Sequence, residues 1–422
     1  MKQTLQLGAL SAANMGAAFL FQWYALTQLG PGLETDALFA GMTLPHLVLA
    51  VVSGSLMHVL VPLLSGEDPS RLRHGVWGFT VLIGALFSVL AVVLYISAPW
   101  WVPLTVPGFS AAGIALTLDL TRIQVIGMVF TAINGVQCAA YYARHQFVWT
   151  EVSPMLASAL ALLLLVWALP HFGVVAAAWI STLRIAFQTL LLAPGMGRPV
   201  WPDLTSPAIV TAWQRIKPLL LGTAYYKTDP LIDRFLLSTA GGGSLSLYYL
   251  AQQIYSAMSQ VLNKAMAAPL VPVLSRLHKA GDRHGFRRTF YRKLAQMSVL
   301  GFFGLLVVGV LGQSLLALWA GYGNVSAPDA NNLWWIMVWL GGLFVGGVTG
   351  QICSYAFYAC GDTVTPTRMS IATYTVYIPG KAIAFYLWGV MGLALATSVY
   401  YLTNTLLQMY LLEKKWVYES RE

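Results

Sequence analysis

Twelve apolar stretches, each long enough to cross a lipid bilayer, run through this chain from end to end. They lie at approximately 5–29, 36–64, 75–98, 122–142, 152–170, 173–193, 215–239, 245–274, 294–319, 333–358, 367–387 and 389–412. A hydrocarbon core about 30 Å thick takes roughly 20 apolar residues of helix. In lipid only helices and closed barrels satisfy every backbone N–H and C=O. The ten-residue alternation of barrel strands is missing, so the pattern predicts an all-α polytopic membrane protein. The separators carry helix breakers: Gly30-Pro31-Gly32, Pro99 to Pro107, Pro194 to Pro207 and Gly241-Gly242-Gly243. Composition closes off the soluble alternatives. Charged residues are 9% of the 422 and hydrophobic residues 58%, whereas soluble domains carry about 25% charge. A cytosolic enzyme, a nucleic-acid binder and a disulfide-rich secreted domain are excluded. Cys138, Cys353 and Cys360 lie in or beside apolar runs and read as small buried hydrophobes. The first stretch is too long for a signal-peptide core and reads as a retained helix.

The loops set the orientation. With the N-terminus inside, the cytoplasmic segments collect Lys2; Arg71 and Arg73; Arg144; Arg198, Arg215 and Lys217; seven basic residues from Arg276 to Lys293; Arg368; and Lys414, Lys415 and Arg421. The opposite loops hold only Arg122. The net charge of +9 is therefore a positive-inside signal, and both termini are expected in the cytoplasm, beneath a bacterial inner membrane. Within the basic run, Phe286, Phe290 and Tyr291 interleave with the cations. That pattern suits a helix lying on anionic lipid, or a plain orientation signal.

A duplication runs through the chain. Val61-Pro62-Leu63-Leu64-Ser65 recurs as Val271-Pro272-Val273-Leu274-Ser275. Tyr142-Ala143 recurs as Tyr358-Ala359, Gly173-Val174 as Gly389-Val390, and Ser181-Thr182 as Thr397-Ser398, in constant order and at nearly constant offset. The offset spans six stretches, an even number, so the halves enter from the same side. Two pseudo-symmetric six-helix lobes, 1–200 and 201–422, are expected. Transporters built this way hold their substrate between the repeats and rock about it.

A charge at the bilayer centre costs about 2.5–3.5 kcal/mol on insertion scales, so ionisable groups inside the membrane are functional candidates. The seventh stretch carries Lys227, Asp229, Asp233 and Arg234 around Pro230. On a continuous helix Asp229 and Asp233 share one face, and Lys227 and Arg234 another. Pro230 is expected to interrupt the backbone ladder beside a cavity. Lys227 and Arg234 are candidates for binding an anionic head-group, and Asp229 and Asp233 for a coupling ion. A structural ion-pair cluster is the alternative. Asp36 is read as a helix cap or a residue at a cavity mouth. Lys264 is a further candidate inside the eighth stretch. Gln252 and Gln253, with Asn263 and Asn14, suit a sugar path or bonds between helices. Arg184 and Lys381 read as snorkelling or pairing cations. His46 and His58 are twelve apart and share no ligand face, so no metal site is predicted.

No catalytic constellation is present: there is no Walker A motif, nucleophile elbow or His-Glu-x-x-His. A transporter without a cofactor is expected, coupled to a monovalent cation, a proton or the membrane potential.

Several segments resemble the MurJ/MviN lipid II flippase family, within the multidrug, oligosaccharidyl-lipid and polysaccharide (MOP) transporter superfamily. They are Thr35-Asp36-Ala37-Leu38-Phe39 with Leu44-Pro45 and Val61-Pro62; Ile232-Asp233-Arg234-Phe235; Ser244 to Tyr249; Pro269 to Arg276; and Gly361 to Pro366. The resemblance implies a two-lobed helical flippase for a polyprenyl-linked oligosaccharide or peptidoglycan-precursor-like lipid. The partners it implies are that lipid-linked glycan, membrane lipids and the glycan-synthesis machinery, with no nucleic acid. It marks Asp36 as the family's functional acid near the second helix, and Asp233-Arg234 as a recurrent pair. Arginines that the family places in helices one, two and eight have no counterpart in Phe21 to Tyr24, Val51 to Gly54 or Ala251 to Gln253. Two further helices of the family lie beyond the twelve read here. A cation-coupled multidrug exporter of the same superfamily is the alternative. A membrane glycan polymerase or ligase fits less well, because the outer segment from Ala98 to Thr121 holds a single ionisable residue, Asp119.

Overall fold

A computed structural model describes residues 2–65, 68–201, 211, 225–263, 270–319, 322–362 and 364–419. Every regular element among them is helical. The chain divides into two compact units, Met1–Ser246 and Leu247–Glu422.

The first unit is built from α1 (Lys2–Leu29), α2 (Leu33–Gly41), α3 (Thr43–Leu64), α4 (Pro69–Thr105), α5 (Ala111–Ala143), α6 (Phe147–Leu192) and the short α7 (Asp229–Leu237). The expected stretch 36–64 is divided between α2 and α3 at Met42, whose backbone stays in the right-handed helical region. Helix α5 is the hub, packing on α2, α3, α4 and α6. Its buried face includes Gly127, Ala132, Ala139 and Ala140, small residues that let helix backbones approach closely in lipid. The unit reaches past residue 200, the boundary expected from the repeat, because α7 packs on α3 and α4.

The second unit holds α8 (Ser244–Leu262, its first turn shared with the first unit), α9 (Leu270–Lys279), α10 (Arg283–Trp319), α11 (Ala327–Trp339), α12 (Gly341–Ala359) and α13 (Val364–Glu419). Here α12 is the hub, with α9, α10 and α13 around it. Phe286 and Phe290 of the basic run are buried at 4% and 1% exposure. Both rings meet Trp416 edge-on, with centroids 5.8 and 5.4 Å away. These two aromatics are core residues, which removes them from the lipid-surface reading. Arg287 bridges to Glu413 at 3.0 Å, and Lys415 to Asp362 at 3.2 Å.

Six helices among the described residues are long and apolar enough to cross a membrane. Two of them, α6 and α13, fold back on themselves at Gly173 and Gly389, so each carries two of the expected stretches. Large apolar side chains of α4, α10 and α13 point outward, Ile96, Phe303 and Trp388 among them. In water such a belt would drive aggregation; in a bilayer it is the lipid-facing surface.

The duplication is written into backbone detail at a spacing of 216 residues. Gly173 has φ 61° and ψ −154°, and Gly389 has φ 59° and ψ −141°. Thr182 donates to the Ile123 carbonyl and Ser398 to that of Trp339. Thr189 donates to Phe130 and Thr405 to Gly346. Ser110 caps the first turn of α5 through the Gly113 amide, and Ser326 caps α11 through that of Asp329. His145 and Gly361, both at positive φ, end the matching helices. One difference stands out: α5 is continuous, whereas its counterpart breaks at Leu340 into α11 and α12. Gly341 and Gly342 follow that break, and glycine weakens a helix interior by about 1 kcal/mol.

Candidate functional site

Charge gathers within the first unit where α2, α3 and α7 meet. Gly30, at φ 78°, ends α1. The Thr35 hydroxyl donates to the Gly30 carbonyl at 2.9 Å and accepts from the Gly32 amide at 3.1 Å. These local bonds seat the first turn of α2 and fix the position of Asp36. Its carboxylate is 2% exposed and accepts from the amides of Gly243 and Ser246, both at 2.7 Å. Amides at a helix start carry unsatisfied donors and a partial positive charge, so they favour an anion. Asp36 lies inside α2, whose N-cap is Gly32, so it does not cap the helix it was expected to open; it caps the turn at the start of α8, far away in sequence.

Helix α7 begins at Asp229, with Pro230 in its first turn, where the missing N–H breaks no intrahelical bond. The irregularity expected at Pro230 lies just before it, as the 3-10 turn Tyr226–Thr228. Lys227 sits in that turn and is exposed. The α-helical spacing that placed it on a common face with Arg234 does not hold across the turn. Asp229 is half-buried, and as the first residue of α7 its charge is favoured by the helix dipole. Asp233 and Arg234 are buried, at 1% and 3% exposure. Arg234 Nε donates to Thr43 Oγ1 at 3.2 Å, and that hydroxyl donates to the Phe39 carbonyl at 3.2 Å. Arg234 and Asp36 lie close enough for their opposite charges to attract.

Asp36 and Arg234 thus belong to one buried corner, with Asp233 next to Arg234 in sequence and Asp229 one turn away along α7. Gln252 and Gln253 are half-buried on α8 in the second unit. Lys264 lies outside the described residues. Sequence reasoning missed Thr43 and the two capping amides. The run Gly243-Ser244-Leu245-Ser246 does carry a helix-start signal, but nothing in it names a partner more than 200 residues away.

A family model described as lipid II flippase MurJ matches residues 26–422. A protein of Burkholderia cenocepacia named lipid II flippase MurJ is 25% identical over 418 residues, covering 92% of this chain and 79% of its own. A shorter match, 34% identical over 166 residues, covers 39% of this chain and 36% of the EPS I polysaccharide export inner membrane protein EpsE of Ralstonia nicotianae. Among solved structures, the inward closed conformation of a lipid II flippase MurJ superposes with a TM-score of 0.81 at 16% identity, over 96% of this chain and 87% of the other. That likeness shows the fold of this superfamily, and the family match extends across both units. The chain belongs to the MurJ lipid II flippase family.

Proposed function

We propose that this protein flips a polyprenyl-linked glycan of the lipid II type across the bacterial cytoplasmic membrane, with both termini on the cytoplasmic side. The observation that carries this reading is the family match over residues 26–422, which takes in both copies of the internal repeat. A duplicated carrier of this kind works by alternating access, its lobes rocking about a central site while the lipid tail stays in the bilayer. Lys227, Arg234 and Lys264 are the cations we assign to the anionic head-group, and Gln252 and Gln253 are assigned to the sugars. Asp229 and Asp233 are assigned to a coupling cation or proton, or to holding Arg234 in place. Asp36 anchors the turn that leads out of the first unit. The enzymes that make and consume the glycan are the partners expected on the two faces of the membrane.

A second reading changes only the glycan. The relative named for polysaccharide export favours an exopolysaccharide intermediate on the same kind of lipid carrier. Depletion of the protein, followed by mass spectrometry of polyprenyl-linked intermediates, separates the two. Accumulation of the peptidoglycan precursor supports the first reading, and accumulation of another lipid-linked oligosaccharide the second. An unchanged pool of every such intermediate would rule out a flippase for lipid-linked glycans.

A further inference from the structure

A cavity of about 80 Å³ opens inside the first unit among α1, α3, α5 and α6, lined by Gln22, His46, Gln124, Thr131 and Arg184 among others. No carboxylate lines it. Its hydroxyls are already engaged, since Thr131 donates to the Gly127 carbonyl and Thr182 to that of Ile123. Gln124 is 6% exposed; its Nε2 donates to the Leu38 carbonyl, while its buried Oε1 has no partner among the described residues. The half-buried Arg184 side chain forms no hydrogen bond or ion pair among the described residues. The charges of Arg184 and Arg234 both reach His46. Arg184 therefore brings a positive charge to a cavity whose wall holds no anion.

The second unit serves as an internal control. At the 216-residue spacing, Arg184 corresponds to Tyr400, Gln124 to Leu340 and Thr131 to Gly347. Tyr400 stacks on Tyr377 with centroids 4.4 Å apart. The same glycine hairpin thus forms with an aromatic ring where the first unit carries a guanidinium. The second unit builds this hairpin without a cation at the matching position, and placing one at this depth is costly.

We infer that this cavity is a binding site for a phosphoryl-type oxyanion, with Arg184 as its charge partner and His46 as a second donor. The planar guanidinium fork matches two oxygens of such a group. Gln124 Oε1 meets the hydroxyl of a protonated phosphoryl oxygen, a donor that chloride lacks. The volume corresponds to between two and three waters at about 30 Å³ each, enough for one phosphoryl group. The site stands independently of which glycan the protein carries. Its ligand is either free inorganic phosphate or the phosphate of a lipid-linked cargo.

The test uses the full-length protein purified in detergent. Phenylglyoxal modification of Arg184, read by peptide mass spectrometry, should fall at least fivefold when sodium phosphate is present, and should not fall with sodium chloride at the same ionic strength. Equilibrium dialysis with radiolabelled phosphate should show saturable binding, weakened at least tenfold in Arg184→Gln and in Arg184→Tyr, the side chain the second unit uses. Protection by polyprenyl phosphate in nanodiscs without protection by inorganic phosphate would support the site and assign it to the cargo. Equal modification with phosphate and with chloride, in a protein that polyprenyl phosphate also leaves unprotected, would overturn the proposal. So would undiminished phosphate binding in a folded Arg184→Gln protein. The modification assay needs no variant, so a misfolded substitution leaves the outcome decided.

Discussion

Replacing Asp36 by alanine removes the one acceptor that the buried amides of Gly243 and Ser246 share. Both bonds are 2.7 Å long and buried, in the range of charge-assisted hydrogen bonds. Each buried N–H left without a partner costs about 1–3 kcal/mol, so D36A should destabilise the first unit by about 2–6 kcal/mol. Part of that loss is offset because a buried carboxylate no longer has to be desolvated, which places the expected value in the lower half of the range. Asp36→Asn keeps one carbonyl oxygen for one amide but turns an NH2 group toward the other. It should cost about 1–3 kcal/mol, the penalty of a single orphaned donor. The direct assay is hydrogen exchange of the Gly243 and Ser246 amides in detergent, with thermal unfolding beside it. D36A should accelerate exchange at both amides, D36N at one more than the other, and the unfolding temperature should fall in the order wild type, D36N, D36A. Exchange at both amides unchanged in a folded D36A protein would refute the capping role. Loss of flipping in a D36N protein of near-normal stability would show that the acid also acts in transport.

Further outcomes follow from other contacts. Gly173→Ala and Gly389→Ala meet open space for the new methyl group, so each should lose only backbone energy. The cost is about 1–3 kcal/mol for a glycine-only conformation, and calorimetry should find the two losses alike. Gly108→Ala should be more damaging, because its Cβ would collide with the backbone of Ser238 and Thr239; low yield of folded protein is the readout. At Asp362, partial burial pushes the carboxyl up, but the Thr365 amide and hydroxyl and the Lys415 ammonium outweigh it and hold it below the ordinary value of 3.8. A depressed carboxylate contributes stability above its ordinary value and loses it as pH falls through the lower folded value. Acid unfolding below about pH 4 should therefore be less steep in Asp362→Asn than in the wild type, as followed by tryptophan fluorescence.

The membrane class and the duplication were legible in the sequence because both are written in local or repeated patterns. Apolar length marks the spans, and Gly173-Val174 against Gly389-Val390 marks the repeat at the very residues where both hairpins turn. Polar residues in apolar runs also drew attention to Asp36 and Arg234. Their partners stayed hidden, since Thr43 lies 191 residues from Arg234 and the capping amides lie 207 and 210 from Asp36. No local periodicity encodes such a pairing. Lys227 was misplaced because a helix-period reading carries straight across the 3-10 turn before Pro230. The lipid-surface alternative for Phe286 and Phe290 fails for a related reason: a basic neighbourhood says nothing about Trp416, which packs on both rings. Arg184 and His46 were each weak signals, and only the packing of α3 and α6 against α5 puts them in one cavity.

The two glycine pivots have a consequence for how this protein tolerates change. Because α6 and α13 reverse without a connecting loop, the two arms of each hairpin are locked in phase. One residue added beside Gly173 would turn the following arm by about 100°, carrying much of its packed side out toward lipid. Insertions that other segments absorb as slack would here scramble a whole lobe, so chain length at 173 and 389 should be among the least variable features of any functional descendant of this sequence.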